Sequence, residues 1–141
     1  MNAPMRILGL DHIVLRVSDM ERMIAFWRDA LGCTVEKVQA ELGLVHIRAG
    51  TALVDLVDIA GKLGKEGGRA AGAEGRNLDH FCLRVEPFDP DAIRARLAAH
   101  GVDVDAPKRR FGAEGYGESI YLTDPEGNRM ELKGPSEAAG R

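Results

Sequence analysis

The heptapeptide DHIVLRV at residues 11–17 returns as DHFCLRV at residues 79–85, identical at five of seven positions and 68 residues downstream. Each copy alternates polar and apolar residues, the pattern of a half-buried strand. His12, Val14 and Arg16 therefore share one face, and Ile13, Leu15 and Val17 share the other. His80, Cys82 and Arg84 repeat the first arrangement. The last strand-like stretch of each half carries one acid between apolar neighbours, Asp55 in LVDLV and Glu131 in MEL, 43 and 51 residues after its histidine. If the halves pair about a pseudo-twofold axis, His12, Asp55, His80 and Glu131 converge as two nitrogen and two oxygen ligands. Such a set suits one divalent ion among Zn, Ni, Co, Mn and Fe, with positions left for water or substrate. Asp58, three residues further along the same strand, is a second acid that competes with it for that role.

Other groups on these faces have roles of their own. Arg16 and Arg84 point the same way as the histidines and could grip an anionic substrate group bidentately, or sit in ion pairs at the rim. Cys82 reads as a small core hydrophobe, because the spacing puts no base beside it. His46 and His100 have no counterpart in the opposite half and read as structural or solvated. Lys108, Arg109 and Arg110 form a short basic run, a solvated feature or a lid over an anion.

Those side chains need strands and helices to position them, and both halves supply the same ones. After the first heptapeptide come Ser18 and Glu21 at capping-box spacing, then Met20, Met23, Ile24, Trp27 and Leu31 on one helical face, closed by Gly32. After the second come Asp89 as N-cap, Pro90 at the first helical position, Ile93 and Leu97 facing inward, and Gly101 as the stop. Strands follow at roughly 34–40, 43–49 and 52–58, then at about 103–106, 117–123 and 128–133. The reading is an α+β chain of two βαβββ modules, residues 8–59 and 79–134. Residues 60–78, with six of the 17 glycines, are expected as a flexible connection without a core of its own. Residues 112–117 read as a second glycine-rich loop able to move over a site.

A chain of 141 residues has room for one sizeable core. Nineteen basic against 22 acidic residues leave a net charge of −3, which gives no electrostatic footprint for nucleic acid or an anionic membrane surface. The residues from Met1 to Leu10 lack the charged-then-apolar pattern of a leader, and no apolar run is long enough to span a bilayer. Two cysteines without metal or redox spacing suggest reduced thiols, so the expectation is a cytoplasmic protein.

With the two histidine strands and the closing DPEGNRMEL of residues 124–132, the chain resembles the vicinal oxygen chelate superfamily over about residues 8–134. That superfamily includes glyoxalase I, the fosfomycin- and bleomycin-resistance proteins and the extradiol dioxygenases. The resemblance implies two βαβββ modules pairing into a curved mixed sheet around a concave metal site. In its glyoxalase I form it puts the ligands on His12, Asp55, His80 and Glu131, with Glu131 also moving a proton next to a carbonyl, and it gives Arg16 the carboxylate of a glutathione adduct. Asp55 is one methylene shorter than the glutamate usual there. In its fosfomycin-resistance form it uses the two histidines and Glu131, and GYGESIY at residues 115–121 resembles the substrate-binding loop through Ser119 and Tyr121. The ELKG ending at residues 131–134 lacks the histidine usual in that form. The expectation is a glyoxalase-like lyase or isomerase, with thiol addition to an epoxide or metal-free drug binding as alternatives. With 5% aromatic residues the chain fits a drug binder poorly. Sheet edges left by two modules make a homodimer the expected assembly.

Overall fold

A computed structural model of the chain describes residues 3–138, so Met1 and Asn2, read above as part of the start, lie outside the described residues. The chain divides into two compact units. The first comprises residues 1–20 and 32–70. Its sheet is built from β1 (His12–Val17), β2 (Thr34–Gln39), β3 (Leu44–Ala49) and β4 (Ala52–Asp58), in the order β1-β4-β3-β2. β1 runs parallel to β4, and the other neighbours are antiparallel. Alternation holds: Leu15, Val17, Val45, Ile47, Val54 and Leu56 are buried, while His12 and Val14 are open to solvent.

The second unit comprises residues 21–31 and 71–141. Its sheet repeats the first, with β5 (Phe81–Arg84), β6 (Lys108–Gly112), β7 (Gly115–Thr123) and β8 (Arg129–Ser136) in the order β5-β8-β7-β6. Helix α1 (Met20–Ala25) follows β1 in the chain, yet from Glu21 on it groups with this second sheet. It continues as a π-helical turn, Phe26–Ala30, in which Leu31 N donates to Phe26 O at 3.1 Å. That turn carries Trp27, fully buried, onto Phe81, with ring centroids 6.3 Å apart and planes 13° from parallel. Arg96 of helix α2 (Pro90–Ala99) donates to the carbonyls of Ala30 (2.8 Å) and Asp29 (3.0 Å), meeting acceptors that the helix end leaves open. α2 begins as its sequence requires, with Asp89 accepting from Ala92 N at 3.1 Å and Pro90 in the first turn. Among the described residues no helix is long and apolar enough to cross a membrane.

Three expectations change. Residues 103–106 do not form a strand, because the Asp105 carboxylate takes the Tyr121 N–H (2.6 Å) in place of a ladder carbonyl, and Pro107 follows with no donor. The strand is instead the basic run at Lys108–Gly112. Residues 112–117, expected as a mobile loop, close the β6–β7 hairpin, with Gly112 opposite Gly115. The glycine-rich connection is partly built in: Gly64–Gly67 form a 3-10 turn, and a Cβ at Gly64 would lie 1.8 Å from the Asp58 carbonyl oxygen. Only glycine permits that approach.

Candidate metal centre

The second unit holds a histidine and an acid that meet directly. His80 immediately precedes β5, and Glu131 lies on β8, the parallel neighbour of β5. His80 Nε2 is 3.2 Å from Glu131 Oε1, while Nδ1 is 2.6 Å from Asp79 Oδ2. An ionised carboxylate only accepts, so the short contact to Asp79 places a proton on Nδ1. In the tautomer with its proton on Nδ1, His80 turns a nitrogen lone pair toward a carboxylate oxygen. Two acceptors facing each other call for a cation between them, either a proton or a metal ion. Glu131 is 6% exposed, and burial alone would raise its pKa. The Ser119 hydroxyl, donating to Oε2 at 2.6 Å, with help from Tyr121 and His80, holds it below the usual glutamate value.

These residues fit a divalent ion. An N···O separation of 3.2 Å is that of two adjacent ligands bonded at about 2.0–2.2 Å to one ion. Each ligand's other end is oriented, His80 by Asp79 and Glu131 by Ser119, as metal-binding histidines and carboxylates require. The Tyr121 ring stands edge-on to His80 with centroids 5.6 Å apart. Cys82, expected in the core, is exposed as a residue; desolvation of its sulfur, then Glu131, still pushes the thiol up to about 12, so it is no nucleophile at neutral pH.

His12, Arg16, His46 and Asp55 line a cavity of about 430 Å³ within the first unit. His12 Nδ1 lies 3.6 Å from Asp11 Oδ1, a looser copy of the His80–Asp79 contact. Asp55 is 4% exposed and accepts from His46 Nδ1 at 2.8 Å. The Gln39 amide nitrogen, which can only donate, meets His46 Nε2 at 2.8 Å and fixes that tautomer. Both nitrogens of His46 and one oxygen of Asp55 are thus engaged within the sheet. Among the described residues of one chain, no three His, Cys, Asp or Glu side chains group as a metal site.

The two arginines have partners of their own. Arg16 donates to the carbonyls of Gly64 (2.8 and 3.1 Å), Gly68 (2.5 Å) and Arg69 (3.1 Å), strapping the glycine-rich connection to β1. Arg84 pairs with Glu114 at 2.5 Å and Glu86 at 2.7 Å. Arg16→Met should therefore release residues 64–69, and limited proteolysis should cut there at least several-fold faster than in the parent. An unchanged cleavage rate would mean the strap is not what holds the loop. Arg110 Nε donates to the Tyr121 hydroxyl at 3.3 Å, and Arg129 lies 4.7 Å over the same ring. Burial, the largest influence on Tyr121, keeps it a phenol with a proton to share.

Sequence reasoning missed three residues here. Asp79 belongs to the repeat, and the acid preceding each histidine, Asp11 and Asp79, is the signal that could have found it. His46 could have been found from the β3–β4 hairpin around Gly50 and Thr51, which sets it opposite Asp55. Lys133, two residues beyond Glu131, carries no signal of its own in the sequence.

Two repeated four-stranded mixed sheets, each with a histidine at or immediately before the start of its first strand and an acid on the neighbouring strand, define a glyoxalase-type fold. Residues 9–132 match the model of the Glyoxalase/Bleomycin resistance protein/Dioxygenase superfamily, and the chain belongs to that family. It is 28% identical over 133 residues to the glutathione transferase FosA of Serratia marcescens, covering 93% of this chain and 84% of that protein. An integron cassette protein from the mobile metagenome of V. pseudocholerae superposes with a TM-score of 0.75 at 25% identity, covering 94% and 98% of the two chains. The FosX fosfomycin resistance protein of Listeria monocytogenes, as an E126Q mutant complexed with Mn(II) and 1S,2S-dihydroxypropylphosphonic acid, superposes with a TM-score of 0.68 at 20% identity over 94% of each chain.

Proposed function

We propose that the protein is a metal-dependent enzyme adding a nucleophile, a thiol first, to a small oxygen substrate such as an epoxide beside an anionic group. His80 and Glu131 hold one divalent ion, and His12 of a second copy supplies the third ligand. The observation that carries the reading is His80 Nε2 facing the Glu131 carboxylate at 3.2 Å while Asp79 holds Nδ1 at 2.6 Å. A second copy is invoked because β1, which bears His12, is an edge strand with Val14 51% exposed beside it, open to another chain. When bound, the ion supplies Lewis acidity to a substrate oxygen.

The chain's own groups do the rest. The Tyr121 phenol donates a hydrogen bond to the oxygen released as the carbon–oxygen bond breaks and the sulfur–carbon bond forms, and the thiol's proton ends on that oxygen. Ser119 keeps Glu131 ionised and in place. Addition ranks ahead of a glyoxalase-type proton transfer because Asp55, the second acid that transfer would use, is engaged by His46. Glu131 would then have to be both ligand and base. The likeness to a glutathione transferase over nearly the whole chain supports the same order.

Two measurements test this. The Mn(II)-loaded protein is offered fosfomycin with glutathione, and separately the hemithioacetal of methylglyoxal and glutathione. Consumption of the first is expected; turnover of the second alone would replace addition by isomerisation, and turnover of neither would retire both reactions. For the site, His12→Ala and His80→Ala should each lose Mn(II), and mixing the two under subunit exchange should restore it, since one site of each mixed dimer is intact. Restoration failing in dimers shown to have exchanged would rule out a site shared between copies.

A further inference from the structure

Lys133 lies two residues beyond Glu131 on β8, so strand alternation sets both on the same face. It is 6% exposed, and its Nζ has no hydrogen-bond partner. An ammonium withdrawn from water without an acceptor is costly, and a bound anion is one occupant that accounts for such a group. The chain also makes room for it. A Cβ at Gly112 would lie 2.6 Å from Lys133 Cε, and one at Gly117 would lie 2.7 Å from Nζ, so two glycines of the β6–β7 hairpin form the slot in which the amine sits. No neighbouring carboxylate bonds to it: both oxygens of Glu131 are engaged, by Ser119 and His80, and Glu114 pairs with Arg84.

We propose that Lys133 is the anchor for an oxyanion, a carboxylate or phosphonate, carried by the small molecule that binds at Glu131. The inference deepens the function proposed above, and rests on it for the position of the molecule's other end. Two residues along a strand span roughly 7 Å. A small molecule covers that distance with one oxygen at the His80–Glu131 pair and its anionic group at Nζ. A neutral carbonyl would accept a hydrogen bond but leave the charge uncompensated, so the site selects anions over neutral analogues. Arg84, spent on Glu86 and Glu114, does not compete for this role.

The test uses the full chain, with and without Mn(II), and methylphosphonate as probe. Binding is followed by calorimetry and by the ammonium resonance of Lys133 in protein with labelled lysine. The parent should bind methylphosphonate at least tenfold more tightly than its neutral dimethyl ester and shift the Lys133 resonance on titration. Lys133→Met should bind the anion at least tenfold more weakly while melting at a temperature no lower than the parent's and keeping its Mn(II). Equal affinity of parent and variant for methylphosphonate, or an unmoved Lys133 resonance in the parent, would overturn the proposal. The resonance measurement requires no variant, so a variant that fails to fold does not rescue the idea. Loss of Mn(II) binding by the parent itself would instead count against the metal reading, since the anion titration is read without the ion as well.

Discussion

Replacing Glu131 with glutamine should lower the affinity for Mn(II) by more than about a hundredfold, beyond the 10–100-fold that loss of an orienting partner typically costs. Glutamine keeps the shape and the acceptor for Ser119 but removes the charge that faces His80 Nε2. Asp79→Asn should fall within the 10–100-fold range, because it disturbs only the contact that turns His80 toward Glu131. Ser119→Ala tests a different property. The Ser119 hydroxyl favours the ionised form of Glu131, so its loss raises the carboxyl's pKa. A ligand carboxylate binds metal only when ionised, so uptake is present above that pKa and disappears as pH falls through it. The acid edge of Mn(II) binding should therefore move to higher pH in Ser119→Ala, with affinity at pH 8 nearly unchanged. The folding linkage has the same sign: a depressed carboxylate contributes stability that is present above its unfolded value and is lost on acidification. Mn(II) titrations of the three variants across pH 4–8 measure all of this, and an acid edge that stays in place would remove Ser119 from its orienting role.

Most of the architecture was legible because the duplication doubles every signal. The alternation in each heptapeptide placed Leu15 and Val17 in the core and His12 outside it, and the caps around Asp89 and Gly101 marked both ends of α2. The errors have a common cause in side chains that stand in for backbone. At residues 103–106 the Asp105 carboxylate accepts where a strand carbonyl would, which no apolar pattern can reveal. At residues 64–69 the arginine that holds the connection lies some fifty residues upstream on β1. Arg16 could be placed on its face from the sequence, but not its partners, because three carbonyls of a glycine-rich loop look the same as any others.

The candidate site divides along the same line. His80 and Glu131 were recoverable from a repeat and a strand-end motif, and the structure sets them at 3.2 Å. The pairing of Asp55 with His46 required the register of the β3–β4 hairpin, which a two-residue turn at Gly50 and Thr51 specifies. Lys133 was harder to recognise. A lysine at an exposed strand end is ordinary, and only its burial beside Gly112 and Gly117 makes it informative.

Trp27→Ala should destabilise the protein by about 3–5 kcal/mol, the range for emptying a large aromatic from a core. Trp27 is fully buried between Phe81, on which it stacks, and Phe26, which it meets edge-on at 5.9 Å. Its indole also leaves Nε1 without a partner. Trp27→Phe loses ring area but removes that unsatisfied donor, so the two effects oppose and the cost should stay within about 1.5 kcal/mol. Denaturant unfolding would measure both, with the midpoint falling and the slope unchanged if the native surface is kept. A local readout separates this contact from general loosening. Trp27 ties the π-helical turn to β5, although that turn follows β1 in the chain. Amide exchange in the alanine variant should therefore rise most along residues 21–31 and at Phe81, and least in the β2–β3 ladder of the first unit. Uniform loss of protection across both sheets would mean that α1 and its π-helical turn do not form a cooperative unit with the second sheet.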